Sequence, residues 1–95
     1  MAEPADAVEA RPWNPSDGPG PQVLVYPPDA RPSMWVRAGG EWRHGTVVGR
    51  HDYRGGRHVY QIEVRLPDER DGIEGTHTRL YEWPQPGLKA ASQAA

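Results

Sequence analysis

Arg57-His-Val-Tyr-Gln-Ile-Glu-Val-Arg-Leu66 decides the fold. Tyr60, Ile62, Val64 and Leu66 alternate with Gln61, Glu63 and Arg65, the period of two expected of a strand with one buried and one wet face. Upstream, Glu41-Trp-Arg-His-Gly-Thr-Val-Val-Gly49 is a second strand-like run. Between them, Tyr53-Arg54-Gly55-Gly56 supplies the glycines of a hairpin turn. Pairing Val47 with Tyr60 sets Gly45 opposite Ile62, the small residue where the inner face is most crowded. A slip of one residue buries Glu63 and Arg65, at a cost that a small core cannot absorb.

Working outward, Met34-Trp-Val-Arg37 reads as the first strand and Ala38-Gly-Gly-Glu41 as the turn out of it. Residues 42–49 form the second strand, with Gly45 as a bulge or close-packing point. Residues 59–66 form the third. Residues 67–72 are a polar loop, residues 73–76 a fourth strand, residues 77–79 a tight turn, and residues 80–83 a short fifth strand. Pro84 and Pro86 stop that strand, and residues 88–95 read as a weakly helical or frayed tail. The expected fold is all-β: a small five-stranded SH3-like barrel over residues 33–83 whose sheet closes on itself, with a C-terminal tail over residues 84–95.

The first 32 residues hold eight of the eleven prolines. Proline removes backbone donors and pushes its neighbours toward extended conformations, so residues 1–21 are expected to form a disordered acidic arm. Within it, Pro12-Trp-Asn-Pro15 satisfies a PxxP spacing, weak by itself. Gln22-Val-Leu-Val-Tyr26, fenced by prolines, suits an edge strand or a strap, and residues 27–32 a stiff connector.

Ninety-five residues allow one domain with a thin core. There is no cysteine, hence neither a disulfide framework nor a thiolate zinc site. No apolar run approaches a membrane span or a signal-peptide core, and a cytoplasmic protein is expected. Residues 1–32 carry five acids against two arginines, whereas residues 33–83 carry eight acids and eight arginines. A balanced domain lacks the basic face of a general phosphate-backbone binder. Ten arginines to one lysine, with no phenylalanine, read as the codon bias of a GC-rich, bacterial-type genome.

The order Trp35-Val-Arg, Gly40-Glu-Trp42, Gly45-Thr-Val47, Tyr60-Gln-Ile-Glu-Val64 and Thr78-Arg-Leu80 resembles the Tudor/agenet-like branch of SH3-like barrels, over about half the chain. The resemblance implies peptide binding through a cage of aromatic rings, often around a methylated lysine or arginine, by cation–π attraction. Trp42 stands where the aromatic of the second turn belongs and Tyr60 at the aromatic position of the third strand. The loop at residues 67–72 contains no aromatic, so the cage is incomplete.

Six aromatics fall in or beside the barrel: Trp35, Trp42, Tyr53, Tyr60, Tyr81 and Trp83. They supply either the bulk of the core or a binding surface. As a surface, Trp35, Trp42, Tyr60, Tyr81 and Trp83 with Arg43 and Arg79 at the rim have the composition of interface anchors for a protein or peptide partner. The alternative partner is nucleic acid, held by Arg50, Tyr53, Arg54 and Arg57 on the locally basic hairpin tip. A third reading makes the barrel a spacer, or a regulator acting through its arm. His44, His51, His58 and His77 read as surface histidines, with no metal or other cofactor implied. There is no nucleophile elbow and no phosphate loop, and a barrel this small is filled by its own side chains, so no enzymatic activity is expected.

Overall fold

The computed structural model describes residues 3–91. Six strands follow one another: β1 (Gln22–Val25), β2 (Ser33–Ala38), β3 (Glu41–Asp52), β4 (His58–Pro67), β5 (Glu74–Trp83) and β6 (Leu88–Ala90). All pairings are antiparallel, in the order β5-β4-β3-β2-β6, with β1 also against β3. The all-β class is as expected. The sheet, however, has six strands instead of five, and its hydrogen-bonded path is open, with β5 at one end and β6 at the other.

β3 is the spine. One edge pairs with β4, and the other serves β2 over residues 41–46 and β1 over residues 49–52. The register steps between Val47, opposite Ile62, and Gly49, opposite Gln61, leaving Val48 as an extra residue. Such a bulge bends the strand, so its far half can take a different neighbour. The carbonyl of Val48 accepts the Tyr26 N–H at 3.1 Å, which pins the end of β1 at the bend. Residues 22–25 are therefore an edge strand of this sheet.

Met34, Val36, Val47, Ile62, Val64, Tyr81 and Leu88 form the core, with Ala7, Tyr26, Tyr60, Leu66 and Trp83 packed against it. The alternation in β4 predicts its inner face correctly: Ile62 and Val64 are buried, at 0% and 2% exposure. The register differs from expectation by two residues, Val47 facing Ile62 and Gly45 facing Val64. A shift of two preserves the faces, because side chains alternate with that period. The hairpin loop is longer than Tyr53–Gly56, running to Arg57, whose carbonyl accepts the Tyr53 N–H at 2.9 Å. Gly45 is a close-packing point, not the bulge.

Three expected features are corrected. Residues 77–79 do not turn: His77, Thr78 and Arg79 stay paired with Val64, Glu63 and Ile62 in one ten-residue strand. The unbroken ladder offered by β4 outweighs the weak strand preference of this polar stretch. Leu88 opens a strand that pairs with β2 and is 4% exposed, where a loose tail was expected. Residues 92–95 of that tail lie outside the described residues. Finally, residues 6–10 of the arm are ordered against the sheet, running between β2 and β5 where the hydrogen-bonded path is open.

Candidate functional site

The groove between β2 and β5 is built by a tight turn, a glycine and an amide. β2 passes into β3 through Gly39 and Gly40, at φ 62° and 76°, a two-residue turn that requires left-handed backbone at both positions. Its N–H groups donate to the two carboxylate oxygens of Asp6, at 3.0 and 3.1 Å. Ala7 N–H donates to the Arg37 carbonyl at 2.8 Å, and Ala10 N–H donates to the Leu80 carbonyl at 2.8 Å. The segment thus bonds to both walls. Between them, the Gln85 side chain receives the Val8 N–H at 2.9 Å and donates to the Val8 carbonyl at 3.0 Å, serving Val8 as a strand partner does.

Charge follows the same path. The Arg37 guanidinium, 7% exposed, donates to Glu3 at 2.9 Å, and Arg79 meets Glu9 at 3.4 Å. Gly87 lies against the segment so closely that an added Cβ comes within 2.5 Å of Ala7 Cα and 2.8 Å of the Asp6 carbonyl carbon. Beside the segment lies a cleft lined by Leu66, Arg43, Arg79 and Tyr81. Burial raises the pKa of the Tyr81 hydroxyl, with a further push from Glu9, so it stays a neutral hydrogen-bonding group.

Residues 3–10 are held mainly by polar contacts. Only the two alanines, Ala7 and Ala10, are partly covered, and Val8 is 69% exposed. A net hydrogen bond is worth about 1 kcal/mol, and ordering a residue costs about 1–2 kcal/mol. The two effects are of similar size, so the segment is seated but not locked.

The residues read from the sequence as one aromatic surface fall into three groups. Arg43, Arg79 and Tyr81 come together in the cleft beside residues 6–10. Tyr60 and Trp83 meet at a tilt, with centroids 5.8 Å apart, and pack against the core. Trp35 and Trp42 belong to the opposite face of β2 and β3: Trp35 packs edge-on to His44 at 5.4 Å, and Trp42 carries Lys89 Nζ at 4.3 Å and the Arg37 guanidinium at 5.6 Å from its centroid. The cationic places over Trp42 are filled by the chain itself.

At the hairpin tip Arg57 lies over the Tyr53 ring at 4.6 Å and bonds to Glu82 at 2.5 Å, and Arg50 pairs with Asp52 at 2.9 Å. Two of the three tip arginines are thus neutralised internally. Arg54 is exposed. Of the histidines, His58 bonds Asp52 at 2.7 Å and His77 contacts Arg79 at 3.3 Å. No three His, Asp or Glu side chains converge on a metal position among the described residues. No helix among them is long and apolar enough to cross a membrane.

Bonds from His58, and then from Arg50, hold the Asp52 carboxyl below its ordinary value of 3.8. A carboxyl whose pKa is lower folded than unfolded stabilises the fold above the unfolded value and loses that contribution as pH falls through the folded one. Chemical unfolding between pH 5 and pH 2 (roughly the carboxylate range) should therefore show stability falling with acid, and Asp52→Asn should flatten that slope. An unchanged slope would remove Asp52 from the account.

The sequence reading missed the groove. Its one trace is the spacing of Glu3, Asp6 and Glu9, three residues apart, each meeting a donor of the fold. The chain matches no protein-family model, no curated protein and no solved structure.

Proposed function

We propose that the chain is a non-enzymatic interaction module that binds an extended peptide of a partner protein in the groove between β2 and β5. The observation that carries this reading is the main-chain bonding of residues 6–10 to both walls, Ala7 to Arg37 and Ala10 to Leu80. A groove that satisfies the backbone of one extended segment offers the same bonds to another, which is how strand-addition modules gain affinity from backbone and selectivity from side chains. Arg79, whose present partner Glu9 belongs to the arm, supplies the adjoining cationic contact.

Selection from a library of random peptides on the full chain tests the reading. Selected peptides are expected to shift the backbone amides of Ala7, Gly39 and Gly40. Peptides that shift only the Trp35 and Trp42 indole signals would move the site to the opposite face.

A further inference from the structure

Resting on that reading of the groove, we infer that its partner is an acidic extended peptide with three carboxylates spaced three residues apart, and that residues 3–10 are its competitor in cis. Glu3, Asp6 and Glu9 follow this spacing. Along the arm the acids reach donors on both sides of the sheet edge, Arg37 lying over Trp42 and Arg79 opposite Ile62. On this chain each meets a different donor: the Arg37 guanidinium, the paired N–H groups of Gly39 and Gly40, and Arg79. These donors face an acid at every third residue. Val8, 69% exposed, shows that the residue two beyond the central acid is unrestricted. The residue directly after that acid must be small, because its side chain packs against the core.

The Arg37 side chain is 7% exposed while its partner Glu3 is 83% exposed. The cation is thus held in place over the Trp42 ring at the edge of the groove, and the carboxylate is the replaceable member of the pair. A tethered segment acts at an effective concentration in the millimolar range. It scales the apparent affinity for an outside peptide by the fraction of time the groove is open. A partner therefore succeeds by matching the acid spacing and adding contacts to Leu66 and Pro67 in the cleft beside the arm.

The test uses the full chain and a fluorescent octapeptide, Glu-Pro-Ala-Asp-Ala-Val-Glu-Ala, followed by anisotropy at low salt. The chain carrying Glu3→Gln, Asp6→Ala and Glu9→Gln should bind it about tenfold or more tightly than the native chain. Adding Gly87→Ala to that variant should abolish binding, since the Cβ fills the path of any incoming backbone. Equal affinity for native and substituted chains overturns the competitor role. Equal binding of a peptide whose acids are replaced by glutamine overturns the acid rule and leaves the groove reading standing, whereas no binding of either peptide removes the groove reading itself. A native chain that sediments as an arm-exchanged dimer assigns the groove to a second copy, and overturns the proposal. Should the triple variant not fold, the unlabelled peptide is titrated into the native chain. The amides of Ala7 and Ala10 should then move to free-chain positions, and their failure to move at saturation overturns the inference.

Discussion

Ile62→Ala should cost about 3–4 kcal/mol, most of the stability a domain of this size possesses. Ile62 is fully buried, lies opposite Val47 on one side and Arg79 on the other, and belongs to the single cluster that joins β2, β3, β4, β5 and β6. Truncation removes three carbons from a site with no solvent access. The backbone there is fixed by ladders on both sides, so the cavity cannot collapse. In urea the unfolding midpoint should fall by more than half with the slope unchanged. A loss below about 1 kcal/mol, the range of surface substitutions, would mean that the inner face of β4 is not the core.

Gly45→Ala is the opposite experiment, an added carbon where there is no room. The new Cβ would stand 2.7 Å from Ile62 Cγ2 and 3.3 Å from both the Glu63 carbonyl oxygen and Val36 Cγ2. Ile62 and Val36 are wholly buried and β-branched, so neither side chain can swing aside without leaving its rotamer. Overpacking of this kind costs about 1–3 kcal/mol. Gly75→Ala is the control, since nothing lies within 4 Å of a Cβ there and the φ is not left-handed. It should be neutral to within about 0.5 kcal/mol. Equal effects at the two glycines would contradict the packing described.

These residues also show what could be read from the chain alone. The alternation from Tyr60 to Leu66 is visible because one face is apolar and the other charged, and it places Ile62 and Val64 correctly. The register against β3 slips by two because the turn signal at Gly55-Gly56 fixes that a hairpin closes, not how many residues the loop takes. Next to the loop the slip is three, and the bulge at Val48 takes one back, which leaves two at Val47. β5 carries no alternation across Gly75-Thr-His-Thr-Arg79; its strand character comes from β4 beside it. Leu88 is one apolar residue between a glycine and a lysine, too short a signal for the strand it begins.

The candidate site was the least legible part. Chemistry alone groups the aromatic residues together, but cross-strand pairing distributes them over two faces of the sheet, and only Arg43, Arg79 and Tyr81 share a cleft. The proline-rich arm has the composition of a disordered segment, and by composition that expectation is sound. Its order comes from donors supplied elsewhere: the turn N–H groups of Gly39 and Gly40, the Gln85 amide and the Arg37 guanidinium. An acid spacing gains meaning only when those donors are known.

The central claim is that residues 3–10 occupy the groove as a replaceable ligand. Amide hydrogen exchange on the native chain tests it most directly. The N–H groups of Ala7 and Ala10 should be protected, because both donate to carbonyls, and should exchange by local opening. The Val47 N–H, bonded to the Pro32 carbonyl within the core, should open only with global unfolding. Ala7 and Ala10 exchanging at the free-chain rate would mean the groove is empty. If they exchanged only together with Val47, the segment would be a fixed strand of the fold, and the groove would be closed to any partner.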